Sequence, residues 1–155
     1  MAHDVASLAR AQAAAGHDVT VLTTDALAPH ERLQAGDRTE DGVRVVRVRN
    51  VSGVLWTWLG RSSAGFRRAL ASLLAEKRPD VVHLHGVDAS LGRAVAGVLT
   101  PGVPVVWTPH DADRSGLRGA QWLGRVSAVM AQSTEGQRRL ATLGSERDQP
   151  LVSHI

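Results

Sequence analysis

Short apolar runs recur along the chain as VTVLTT, VRVVRV, VVHLH, VPVVWT and SAVMA, and segments with helical spacing stand between most of them. This alternation narrows the fold more than any other feature. Continuous apolar runs of this length mark strands covered on both faces, and alternation with helices is the pattern of a parallel sheet built from strand–helix–strand crossovers. The expected fold class is therefore α/β, a parallel sheet with helices on both faces. Sheets of this kind bind ligands at the carboxyl ends of their strands, so the residues just after each run are the ones to inspect for chemistry.

The individual elements follow from spacing and punctuation. Val5, Leu8, Ala9 and Ala13 recur at helical intervals, Gly16 stands where a C-cap belongs, and Val19, Val21 and Leu22 open a strand. That is the second half of a strand–helix–strand unit whose first strand is not in the sequence. The polar stretch DALAPHERLQAGDRTEDG reads as a surface loop, and Asp41-Gly42 launches VRVVRVR, where Val43, Val45, Val46 and Val48 make a strand whose arginines can face solvent. Phe66, Leu70, Leu73 and Leu74 mark a helix running to about Lys77 and stopped by Pro79. SLGRAVAGVL reads as a helix ended by Pro101-Gly102, and TEGQRRLATLG as a last amphipathic helix closed by Gly144.

Composition sets the outer limits. With 155 residues and 43% hydrophobic content, the chain has material for one core, so a single domain over 1–155 is expected. The absence of cysteine excludes disulfides and thiolate chemistry and fits a reducing compartment. No apolar run approaches the roughly 18 residues needed to span a bilayer, and the N-terminus lacks the order of a signal peptide, so a cytoplasmic protein is expected. Basic residues outnumber acidic by 18 to 15, for a formal net charge of +3, but they are spread along the chain. Nucleic acid is not an expected partner.

Three strand ends carry chemistry: His83 and His85 in VVHLHG, His110 and Asp111 in VVWTPHDAD, and Gln132-Ser133 in VMAQS. A histidine at a strand end is commonly a structural hydrogen-bonding residue, and His83 reads that way; His85 shares its face and lies nearer the loop. His110 reads as functional, because its loop combines a titratable imidazole with the Asp111 carboxylate and the nearby Arg114. A competing reading is a metal-dependent hydrolase using HLHGVD and HDAD. An H-x-H pair alone is a weak ligand signal, and His3, His17, His30 and His154 supply no further spacing, so no metal or other cofactor is assigned. Neither G-x-x-x-x-G-K-[ST] nor G-x-G-x-x-G occurs.

Taken in order, LARAQAAAGHDVTVLTT, DGVRVVRV, RPDVVHLHG, GVPVVWTPHD and VSAVMAQSTEGQRRLATLG resemble the N-terminal, acceptor-side domain of family 4 glycosyltransferases over nearly the whole chain. The resemblance implies a Rossmann-like sheet forming one half of a GT-B fold, and a retaining transfer of a sugar from a nucleotide-sugar donor to an acceptor. It implies that His110 lies beside the reaction centre, and that His85, Gly86 and Asp111 line the acceptor side of the cleft. By the same resemblance Arg114 attracts an anionic acceptor or donor phosphate, and His3 lies near the donor phosphates. Two features of the family are not in this sequence. Its first strand and glycine loop, which lie between the strands matched by VTVLTT and VVHLH, would precede MAHDV, and its donor-binding domain carries an E-x7-E glutamate pair, whereas no two glutamates here are eight apart. The expectation is a domain truncated at its N-terminus, inactive without a partner that binds the nucleotide sugar. The alternative is a non-catalytic remnant or binding module of the same fold. Trp56 and Trp58 beside Arg61, Arg67 and Arg68 also fit an anionic lipid surface, although the apolar residues of that region are equally explained as a packed helix face.

Overall fold

In the computed structural model the described residues are 2–28, 31–49, 64–86, 95, 97–99, 101–109, 124–136, 138 and 151–154. The chain divides into two compact units, 1–72 and 73–155. No helix among the described residues is long and apolar enough to cross a membrane.

The first unit begins with helix α1 (Ala2–Ala14) and strand β1 (Thr20–Thr24). The helix ends as its glycine foretells: Gly16 donates to the carbonyl of Ala13 at 3.0 Å and His17 to that of Gln12 at 3.2 Å, the two bonds of a Schellman cap. The polar stretch after β1, expected to be a loop, instead contains β2 (Ala26–Ala28), β3 (Glu31–Arg32) and β4 (Gly36–Glu40). β5 (Val43–Val48) is the centre of a three-stranded sheet of order β1-β5-β4, parallel to β1 and antiparallel to β4. The β4–β5 hairpin closes through Asp41 and Gly42, with φ of 50° and 78°, as a two-residue turn of the kind that matches strand twist. All five β4 residues are exposed, so burial gives the strand no apolar signature. Across the hairpin, Arg44 Nη2 lies 2.7 Å from Asp37 Oδ2 and Arg44 Nε 3.1 Å from Asp37 Oδ1. These charge-assisted bonds hold the Asp37 carboxyl below the usual carboxylate range.

The expectation that both arginines of VRVVRV face solvent does not hold. Strand pleating alternates side chains, so Arg44 and Arg47 fall on opposite faces of β5, and both are only partly exposed. Helix α1 packs over the turn: Ala9 is buried, Ala13 lies within van der Waals reach of the position a side chain at Gly42 would take, and Arg10 Nε lies 2.9 Å from Asp41 Oδ2.

Helix α2 (Ala64–Lys77) contains the four apolar residues that mark it and ends at Lys77 as expected. Leu70 is buried, Phe66, Leu73 and Leu74 are half-buried, and Arg67 and Arg68 are exposed. Arg78, at φ 45°, caps the end by donating to the carbonyl of Leu74 at 3.1 Å before Pro79 forbids continuation.

In the second unit β6 (Val82–His85), β7 (Val105–Thr108), β8 (Ala128–Ala131) and β9 (Leu151–His154) form an all-parallel sheet in that order. The first three match the apolar runs of the sequence; β9 lies in a segment to which no strand was assigned. Register explains burial. Leu84 pairs with Trp107 and Trp107 with Val129, at 8%, 1% and 4% exposure, so these side chains share one face. Val105 and Ala131 extend the same face. Among the described residues β1 pairs only with β5, and β6 only with β7. Most of the expected helix over SLGRAVAGVL lies outside the described residues, although Val95 is helical and accepts from the N–H of Leu99 at 3.1 Å. Trp107→Ala is expected to destabilise the chain by about 3–5 kcal/mol, read as a lower urea midpoint at unchanged slope. A loss below about 1 kcal/mol, the size of an average substitution, would contradict the central place given to this side chain.

Candidate functional site at the carboxyl ends of β6 and β7

The face of the second sheet opposite Trp107 carries polar chemistry. His83 stands in register with Val106 and His85 with Thr108, so His83, His85 and Thr108 emerge together on that face as the parallel strands end. Pairing continues one step further, where Gly86 donates its N–H to the carbonyl of Thr108 at 3.0 Å. Gly86 has φ 56°, a left-handed conformation that costs a residue with a side chain about 1–2 kcal/mol, and it turns the chain away directly after His85. The glycine that follows VVHLH thus ends the strand with His85 at its edge.

The side chains are mutually engaged. His83 Nε2 lies 2.8 Å from Thr108 Oγ1, and Thr108 is 3% exposed. The rings of His83 and His85 lie 4.0 Å apart between centroids with 37° between their planes. Both histidines are half-buried, and Pro109 beyond Thr108 is buried. A neutral imidazole offers one N–H donor and one acceptor nitrogen, a pair suited to a ligand hydroxyl or a phosphate oxygen.

Of the residues expected to form the site, His85 and Gly86 are brought together here beside Thr108. His3 belongs to the first turn of α1, in the other unit, and its side chain lies outside the described residues, as do His110, Asp111 and Arg114. Among the described residues no three histidine, cysteine or acidic side chains are grouped to hold a metal, and the HDAD segment falls outside that set. Ser133 is spent on local structure, its Oγ accepting the N–H of Gly136 at 3.0 Å as the N-cap of the next helical turn.

Two residues were not singled out from the sequence. Thr108 is one, and its sequence signal was only its place at the end of the buried run VVWT. The other is Asp25, directly after β1, which is 3% exposed with Oδ1 2.9 Å from Arg32 Nη1. Its backbone accepts from Leu33 at 2.7 Å and donates to Val48 at 2.9 Å, so Asp25 ties β3 and β5 to the carboxyl end of β1.

The family model described as Glycosyltransferase Family 4 matches residues 1–152. No curated protein matches the chain.

Proposed function

The chain belongs to glycosyltransferase family 4, and from that premise we propose that it is the acceptor-side part of a retaining sugar transferase, drawing a sugar from a nucleotide-sugar donor held by a separate domain. The observation that supports this reading is the match over residues 1–152 joined to a parallel sheet whose carboxyl edge presents His85. In the proposed arrangement His85 and Gly86 line the acceptor side with Asp111, while His110 lies at the reaction centre. Arg114 attracts the anionic partner, and His3 lies near the donor phosphates. Transfer requires donors or cations that stabilise the leaving nucleoside diphosphate, and such groups act in a water-excluded cleft where their fields are strong. This sequence has no E-x7-E pair to hold the nucleotide sugar, so the donor domain completes the catalyst.

Joined to the donor-binding domain of a family 4 enzyme, the chain is expected to transfer sugar, and alone it is expected to transfer none. In the joined protein His110→Ala should lower turnover by roughly 100-fold with the melting temperature unchanged. A lowered melting temperature with near-normal turnover would make His110 structural. No transfer by the joined protein with a panel of sugar nucleotides would favour a binding module or remnant instead.

A surface role for α2 is a second proposal within this reading. Arg67 and Arg68 are exposed on α2, and Trp56, Trp58 and Arg61 lie outside the described residues. Together they make a basic and aromatic segment suited to anionic lipid, the environment of a lipid-linked acceptor. The chain is expected to sediment with anionic liposomes at low salt and to be released as salt screens the charges. A protein that stays in the supernatant at low salt would remove the lipid contact from the proposal.

A further inference from the structure

The site contains one arrangement that sugar transfer leaves unassigned. Thr108 stands opposite His85 in the β6–β7 register, yet its hydroxyl is bonded to His83, two residues earlier on β6, at 2.8 Å. His83 in turn places its ring 4.0 Å from that of His85. The three side chains thus form a chain of contact from a buried hydroxyl, through one imidazole, to the imidazole nearest the loop.

Each link restricts the next. A hydroxyl as buried as that of Thr108 needs a hydrogen-bond partner, and meeting that need through His83 Nε2 fixes the plane of the His83 ring. The fixed ring then bounds one face of the His85 ring, which is followed directly by the left-handed turn at Gly86. Holding the ring sets which of its two nitrogens a ligand meets, and each nitrogen of a neutral imidazole bonds a hydroxyl, one as donor and the other as acceptor.

We propose that Thr108 and His83 are positioning residues that hold the His85 ring in one orientation at the carboxyl edge, so that an acceptor hydroxyl meets an imidazole already set to bond it. A ring fixed in advance need not be ordered when the ligand arrives, and that saving appears as binding and rate. The inference rests on the reading of His85 as an acceptor-side residue, and it assigns His83 a task beyond the structural one its strand-end position first indicates.

The test has two arms. In the first, side-chain couplings measured by NMR in the full 155-residue chain read the χ1 rotamer of His85. Wild type and Thr108→Ser are expected to show one dominant rotamer. Thr108→Val, which keeps the volume and removes the hydroxyl, and His83→Ala should both shift the His85 couplings toward rotamer-averaged values. Unchanged His85 couplings in His83→Ala would overturn the inference, and this variant decides the matter if Thr108→Val fails to fold. In the second arm, with the chain joined to a donor domain, His83→Ala should lower kcat/KM for the acceptor roughly tenfold, but should cause no further loss when His85→Ala is already present. Equal losses in both backgrounds would make His83 a structural residue and overturn the inference. Absence of any transfer would sink the transferase reading, while the ring measurement would still decide the positioning one.

Discussion

The parallel ladder from β6 to β8 pairs Leu84 with Trp107 and Trp107 with Val129, and this one buried row decides which way the other side chains of those strands point. Because the side-chain period is two, a one-residue slip of β7 would carry Trp107 off the apolar face and turn Thr108 away from His83 and His85. Apolar burial opposes such a slip strongly, since Trp107 is 1% exposed and Val105 2%. The chemistry at the carboxyl edge is therefore held in place by the hydrophobic face behind it. Hydrogen bonds between the strands allow more than one register; the apolar row selects one.

The first unit reaches a fixed register by a different route. Its parallel pair, β1 and β5, is half-buried along nearly all its length, so burial discriminates less sharply between registers there. On the other side of β5 the Asp41-Gly42 turn fixes the register of the β4–β5 hairpin, because a two-residue turn sets the pairing of Glu40 with Val43 and every pair beyond it. The bidentate Arg44–Asp37 contact lies across the same hairpin. Arg10 and Ala13 then dock α1 over the turn, so the helix is placed by the residues that fix the strands.

Much of this could be read from the sequence, and the parts that could not share a cause. α1, α2 and the strands β1, β5, β6, β7 and β8 each carry an apolar period or a cap that announces them. β4 has neither, since GDRTE is polar throughout, and the Asp-Gly pair after it was read as the start of β5 and not as the turn of a hairpin. The arginines of VRVVRV were misplaced because Val45 and Val46 are adjacent, which breaks the simple alternation on which the reading leaned. At the site, His85 and Gly86 were visible as a strand end followed by a glycine. The tie of His83 to Thr108 spans 25 residues and exists only because β6 and β7 are in one register, so nothing local in either segment signals it.

In the proposed function the carboxyl edge of β6 is the edge that meets the acceptor. The most direct test compares two single histidine substitutions in the chain joined to a donor-binding domain. His85→Ala removes the imidazole at that edge, and His17→Ala removes an exposed imidazole from the C-terminal cap of α1. His85→Ala is expected to reduce kcat/KM for the acceptor by at least about tenfold while His17→Ala leaves it unchanged. Equal values for the two variants would contradict the placement of the acceptor at that edge.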